Sequence, residues 1–309
     1  MNALLFAGQG AQAVGMGRDL AAAYPECKAL YTKASDVLGY DLARLCWEGP
    51  ESELQKSTYC QPAVFVTSAA CWLALQRERK TLAIHSTGGL SLGEWTALWL
   101  AGVVSFEDAL RILQARGEFM QAACEERAGA MLSVIGLGAV LLQTVAKQAG
   151  VEIANYNSPE QTVLSGTGEG IAAAEKLVKE AGAKRAIRLN VAGAYHSSLM
   201  APAARRLEDF IREVPIQSPR LSALSNVTGQ PHASTSDDIR RLMVRQVTSP
   251  VQWVECANWF RRQGITRYIE CGPGRVLTGL IKRIHPEASL NNVQDCPSLA
   301  QTIADLPIA

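Results

Sequence analysis

Gly89-Leu90-Ser91-Leu92-Gly93 is a G-x-S-x-G pentad. A serine in this pattern becomes a nucleophile when it sits on a sharp turn between a strand and a helix. Both flanks fit: 81–87 reads as a strand and 94–101 as a helix ending near Gly102. Gly89 and Gly93 supply clearance, because a β-carbon at either would strike the adjoining strand or helix. Ser91 then stands at a helix N-terminus, where the free N–H of Leu92 can hold a developing oxyanion. A bare pentad is equally compatible with a plain turn. The flanking strand and helix favour the nucleophile.

A serine nucleophile needs a base, and the chain has four histidines. His232 lies in a Gly/Pro/Ser-rich loop, and His285 precedes Pro286. His196, within 191–200, falls where a small insert rejoins the main body, beside the cleft, and is the preferred general base. A capping or packing role is the bland alternative for it. His85, six residues before Ser91, is the rival base. No Asp or Glu stands out as a third member, so a Ser–His pair oriented by a backbone carbonyl meets the need.

Arg116 is the second chemical clue. It lies three or four residues from Ile112, Leu113, Phe119 and Met120, on the apolar stripe of a long helix. Arg111, by contrast, is expected to pair with Glu107 on the solvated face. A guanidinium on a buried face calls for an anion. That anion is either a structural Asp or Glu, or a substrate carboxylate held by two parallel hydrogen bonds.

The elements that carry these residues alternate along the chain. An apolar start, 1–7, reads as a first strand, with no basic leader and no room for a signal sequence. Helices fit 26–38, 62–79 and 106–126. Then strand 131–135, helix 139–148, strands 151–156 and 161–165, helix 170–181 and strand 185–190 follow. That βαββαβ order is ferredoxin-like. Helix 197–212, strand 221–225, helices 236–246 and 251–263, strand 266–270 and helix 275–284 resume the α/β rhythm. The expected fold is therefore α/β, with a large parallel-sheet domain formed by 1–127 and 194–309 and a ferredoxin-like small subdomain at 128–193. The cleft between them is the default ligand site.

Composition narrows the class. A chain of 309 residues with 48% hydrophobic residues and net charge +1 is neither disordered nor drawn to nucleic acid or membrane. Residues 128–146 carry no charge, but glycines at 129, 136 and 138 mark a strand, a turn and a helix rather than a membrane span. The eight cysteines contain no CxxC pair, so neither a zinc site nor a disulfide framework is signalled. Free thiols in a reducing, cytoplasmic setting are the expectation.

Six motifs in order now carry a resemblance: 6–12 (FAGQGAQ), 89–94 (GLSLGE), 115–120 (ARGEFM), 155–159 (NYNSP), 195–197 (YHS) and 271–274 (CGPG). Together they cover nearly the whole chain, which resembles malonyl-CoA:acyl carrier protein transacylases of fatty acid or polyketide synthesis. The resemblance implies an α/β-hydrolase-like core and double displacement without a metal or redox cofactor. Its substrates are malonyl-CoA and the phosphopantetheine thiol of an acyl carrier protein, and nothing in the sequence demands more than one copy of the chain. It further implies that Ser91 is acylated, that His196 acts as base and then acid, and that the N–H groups of Gln9 and Leu92 form the oxyanion hole. Arg116 would bind the malonyl carboxylate, and the Gln246 carbonyl would orient His196. Glycines on both sides of Gln9 let its backbone approach the reacting carbonyl.

Two positions depart from the family pattern. Leu90 stands where the family has His before the nucleophile, and Ala7 where it has Pro. The first keeps open an alternative, a hydrolase that clears acyl groups from carrier proteins with the same dyad. A non-catalytic acyl-binding subunit is a third reading, which the presence of both Ser91 and His196 opposes. Five basic pairs could attract an acidic carrier, and Lys282-Arg283 is the preferred one.

Overall fold

The computed structural model describes residues 1–306. Nine strands form two sheets: β1 (Asn2–Phe6), β2 (Ser86–Gly89), β3 (Ala130–Ile135), β4 (Glu152–Ser158), β5 (Gln161–Gly166), β6 (Arg185–Arg188), β7 (Ser222–Ala223), β8 (Arg267–Cys271) and β9 (Ser289–Val293). The first sheet runs β7-β2-β1-β8-β9, and all its pairings are parallel. The second runs β4-β5-β3-β6, and all its pairings are antiparallel.

The parallel sheet is buried on both faces, as helices covering both sides require. Its central strand β1 alternates accordingly. Leu4 and Phe6 enter the larger apolar cluster with Val64 and Leu98, whereas Ala3 and Leu5 enter another with Phe260 and Ile281. The second sheet has a core of its own, in which Leu132 and Val134 pack with Leu142 of helix Ala139–Ala149 and Ile171 of helix Gly168–Glu180. The uncharged stretch 128–146 is thus divided between β3 and that first helix. No helix among the described residues is long and apolar enough to cross a membrane.

The chain enters and leaves the antiparallel sheet at one place. A β-carbon on Gly129 would stand 2.5 Å from that of Ala194, so the outgoing and returning segments touch there. His196 follows two residues later.

Several boundaries differ from the sequence expectation. The strand expected at 81–87 is β2, Ser86–Gly89. Its ladder to β1 begins at Ala3↔Ser86, and the segment upstream is held by Asn2, whose carbonyl accepts from the His85 N–H and whose Nδ2 donates to the Ala83 carbonyl. Helix Ser57–Glu78 starts five residues before the expected Pro62, which sits inside it at the loss of one N–H. The strand expected at 221–225 shrinks to β7, an edge with one neighbour. The helix expected at 197–212 opens as a 3₁₀ turn, Ser198–Met200, before Ala201–Ile211. Arg111 pairs with Asp108 at 3.2 Å, not with Glu107. Lys33, on the facing helix Pro25–Leu38, takes Glu107 instead.

Candidate active site

β2 leads through Leu90 into Ser91, and helix Leu92–Leu100 starts immediately after it. The turn is tight. A β-carbon on Gly89 would stand 2.2 Å from the Gly93 carbonyl, and one on Gly93 would stand 2.3 Å from the Phe6 carbonyl oxygen. Only glycine fits at either position. Ser91 has φ 55° and His196 φ 57°, the only positive values at non-glycine positions among the described residues. Each such residue is expected to cost about 1–3 kcal/mol, which the surroundings must offset.

Asn226 supplies part of that support at Ser91. Its Oδ1 accepts from the Ser91 N–H at 2.7 Å and its Nδ2 donates to the Gly89 carbonyl at 2.8 Å. With the Ser91 N–H so engaged, the first helical N–H without an intrahelical acceptor is that of Leu92. The Gly8-Gln9-Gly10 loop lies against the same turn, since a β-carbon on Gly8 would come within 2.6 Å of the Leu90 carbonyl oxygen.

His196 and Ser91 meet across the fold. His196 Nε2 lies 2.8 Å from Ser91 Oγ, and its Nδ1 lies 2.8 Å from the Gln246 carbonyl oxygen. A carbonyl only accepts, so Nδ1 carries the proton and Nε2 presents a lone pair to the serine hydroxyl. The His196 pKa is lowered to about 4, first by burial and then by the Arg116 charge. The ring is therefore neutral at physiological pH. His85 is not brought to the site. It is exposed just before β2, at the end of the strand away from Ser91, and its Nδ1 accepts from the Asn2 N–H.

Arg116 lies beneath the serine, 1% exposed. Its Nη1 donates to Gln61 Oε1 at 2.7 Å, and its Nη2 to Gln246 Oε1 at 3.0 Å and Ser91 Oγ at 3.1 Å. Its Nε has no acceptor among the described residues. No carboxylate among the described residues bonds to it. Burial lowers its pKa to about 10 against the opposing pull of Glu94, so it stays cationic.

A cavity of about 760 Å³ opens over these groups between the two sheets. Gln9, Leu90, Ser91 and His196 line it on one side, and Asn155, Asn157 and Gln161 of the antiparallel sheet on the other. Val276 and Leu277 border it from helix Val276–Ile284, which also bears the exposed Lys282 and Arg283. Arg283 reaches Gln161 at 3.0 Å.

Sequence reasoning missed several participants. Asn226, Gln61 and the side chain of Gln246 give no local signal, because each acts across 55 or more residues. Ser57 and Tyr195 share a 2.8 Å hydrogen bond, and Gln9 Nε2 donates to both, at 3.0 and 3.3 Å. This ties the Gln9 loop to the residue before His196. His232, set aside as a loop residue, is buried, with its Nε2 2.6 Å from Glu94 Oε1.

Residues 3–306 match the family model described as acyl transferase domain. A malonyl CoA-acyl carrier protein transacylase of Haemophilus influenzae is 40% identical over 300 residues, 96% of each chain. The polyketide biosynthesis protein ThaF of Burkholderia thailandensis is 40% identical over 290 residues, but the chain spans only 24% of its length. A solved structure of a type II polyketide synthase acyl carrier protein in complex with its malonyl transacylase is similar at a TM-score of 0.95 and 39% identity, with 99% of both chains covered.

Proposed function

The chain belongs to the acyl transferase domain family, and on that premise we propose that it transfers a malonyl group from malonyl-CoA to the phosphopantetheine thiol of an acyl carrier protein. One observation carries this reading. Ser91 Oγ has a neutral imidazole at 2.8 Å and a guanidinium at 3.1 Å. The first makes it a nucleophile, and the second offers a cation to an acyl group that ends in a carboxylate. The Haemophilus influenzae relative and the solved structure named above are transacylases, which favours transfer over hydrolysis.

Ser91 Oγ attacks the thioester carbon as its proton passes to His196 Nε2. The N–H groups of Gln9 and Leu92 receive the developing oxyanion. The C–S bond breaks, and the CoA sulfur takes the proton from His196. Arg116 Nη2 meets the malonyl carboxylate as the acyl group is loaded and holds it in the acyl-enzyme, where Oγ, now an ester oxygen, is a poorer acceptor and competes less for the guanidinium. The carrier thiol then gives its proton to His196, attacks the acyl-Ser91 carbonyl, and Ser91 leaves with that proton. The Gln246 carbonyl keeps the His196 tautomer correct throughout.

The finer architecture belongs to the same reading. The β4-β5-β3-β6 order with its two helices is that of a ferredoxin-like subdomain over 128–193, and the contact of Gly129 with Ala194 supports those limits. Residues 1–127 and 194–306 form an α/β-hydrolase-like core, supported by the parallel sheet and the strand–serine–helix turn; the last three residues of the expected limit, 307–309, lie outside the described residues.

Intact-mass analysis after incubation with malonyl-, methylmalonyl- or acetyl-CoA, followed by carrier protein, tests the proposal. A malonyl adduct that is stable in water and discharged by the carrier is expected. An adduct that water clears as fast as the carrier does would establish a hydrolase.

A further inference from the structure

Beneath the reacting groups lies a buried polar cluster that the transfer chemistry does not use. Glu94, on helix Leu92–Leu100, is fully buried, and among the described residues no Lys or Arg forms a salt bridge with it. Its Oε2 accepts from Gln246 Nε2 at 2.6 Å and from the Asn226 N–H at 3.1 Å. Its Oε1 lies 2.6 Å from His232 Nε2. A carboxylate accepts only, so His232 donates from Nε2. His232 Nδ1 is buried without a partner among the described residues, so the ring's one hydrogen bond is the one to Glu94.

The Gln246 carboxamide sits between this cluster and Arg116. Its two ends are chemically opposite. Nε2 donates to Glu94 and to the Ser91 carbonyl at 2.9 Å, while Oε1 accepts from Arg116. A reversed amide would set an NH₂ against the guanidinium and an oxygen against the carboxylate and the Ser91 carbonyl. Glu94 therefore decides which end faces Arg116. Glu94 is also the nearby negative charge that helps Arg116 keep its proton. Through the Asn226 N–H it steadies the side chain that holds the strained Ser91 turn.

We propose that Glu94 and His232 are positioning residues: together they fix the Gln246 amide so that Arg116 is aimed at Ser91, and thereby set the preference for a carboxylate-bearing acyl group. The proposal rests on the malonyl-transfer reading. It assigns Glu94 no contact with substrate. His232 contributes by filling one Glu94 oxygen with a donor, which keeps the other oxygen available to Gln246.

The test compares loading of Ser91 from malonyl-CoA and acetyl-CoA by rapid-quench intact mass, in the full-length protein and its variants. Active enzyme is counted by fluorophosphonate labelling of Ser91. Glu94→Gln keeps shape but brings an NH₂ that competes with Gln246 Nε2. Its malonyl-to-acetyl rate ratio is expected to fall at least about tenfold, the size of losing a hydrogen bond to a charged group. His232→Leu removes the donor and should lower the ratio in the same direction. His232→Gln places an NH₂ near the Nε2 position and should restore it. A merely structural role lowers both rates together and leaves the ratio unchanged; that result in Glu94→Gln overturns the proposal. Equal behaviour of His232→Gln and His232→Leu removes His232 from it. If the unsubstituted protein itself loads no malonyl group, the transfer reading fails instead, so the two failures are distinct.

Discussion

Arg116 meets an amide and not a carboxylate: its Nη2 lies 3.0 Å from Gln246 Oε1. The sequence left two partners open for this buried guanidinium, a structural acid or a substrate anion. Glutamine oxygens and the serine hydroxyl occupy it instead, and all of them are neutral. Neutral acceptors satisfy hydrogen bonds without cancelling the charge. The site thus holds a cation aimed at Ser91, and on the proposed malonyl-transfer reading a carboxylate at the far end of the acyl group completes it.

Arg116→Ala should therefore invert acyl selectivity. Malonyl-CoA loses a charge-assisted pair worth about 2–5 kcal/mol by truncation in desolvated settings, so its kcat/KM should fall at least about tenfold. Acetyl-CoA has no carboxylate and should transfer as well as before or better. Thermal midpoints measured beside the two rates identify the alternative. Parallel loss of both activities with a lowered midpoint retires the carboxylate assignment.

Ser91→Ala should abolish loading on the order of 10⁶-fold, as removal of a nucleophile does, with the fold retained. It also relieves nothing at the backbone, because alanine at φ 55° is as strained as serine. Intact mass after prolonged incubation with malonyl-CoA is the check. A stable malonyl adduct on the variant would show that another residue accepts the acyl group.

The geometry of the site was legible where it is local and hidden where it is not. The pentad announced Ser91, because a turn between strand and helix is written in five consecutive residues. The stripe of helix Phe106–Glu126 announced that Arg116 is buried, and it is. What Arg116 meets could not be read, since Gln61 and Gln246 stand 55 and 130 residues away. Only β3 and β5 came within a residue of their expected limits at both ends among the strands of the second sheet. No pattern marks β9, where Asn291 and Asn292 stand in a strand flanked by a single neighbour. The role of Glu94 was out of reach for the same reason as that of Gln246: its partners lie on loops and helices beyond residue 225.

Docking of the carrier should depend on Lys282 and Arg283. Three of the other four basic pairs have a member engaged by an acid: Lys184 with Glu160, Arg240 with Asp237, Arg241 with Asp238 and Arg261 with Glu287; in the fourth, Arg206 stacks on Phe119. Lys282 and Arg283 reach only a carbonyl and an amide, on a helix that borders the cavity. Reversing both charges should raise KM for the carrier protein at low ionic strength. The gap should close as salt rises, because exposed charges are screened beyond about 10 Å at 0.1 M. An unchanged KM, or one insensitive to salt in both proteins, counts against this surface.

The pH dependence of loading follows from the surroundings of His196. Burial and the Arg116 charge both disfavour the protonated ring, and its pKa is lowered to about 4, against about 6.5 for a free histidine. The base works only when neutral. Loading by the free enzyme, read as kcat/KM, should therefore stay level as pH falls through 6.5 and decline only on approaching about 4. Acetyl-CoA is the substrate of choice, since its acyl group carries no titrating carboxylate. Arg116→Ala removes the second cause of the shift and leaves the first. Its acidic limb should move upward, toward but not as far as the ordinary histidine value. His196→Ala should abolish the limb with most of the rate, while His85→Ala should leave both intact, because His85 lies at the other end of β2. Circular dichroism at each pH separates loss of base from loss of fold. A limb centred near 6.5 in the unsubstituted protein, or equal losses in the two histidine variants, rejects His196 as the base.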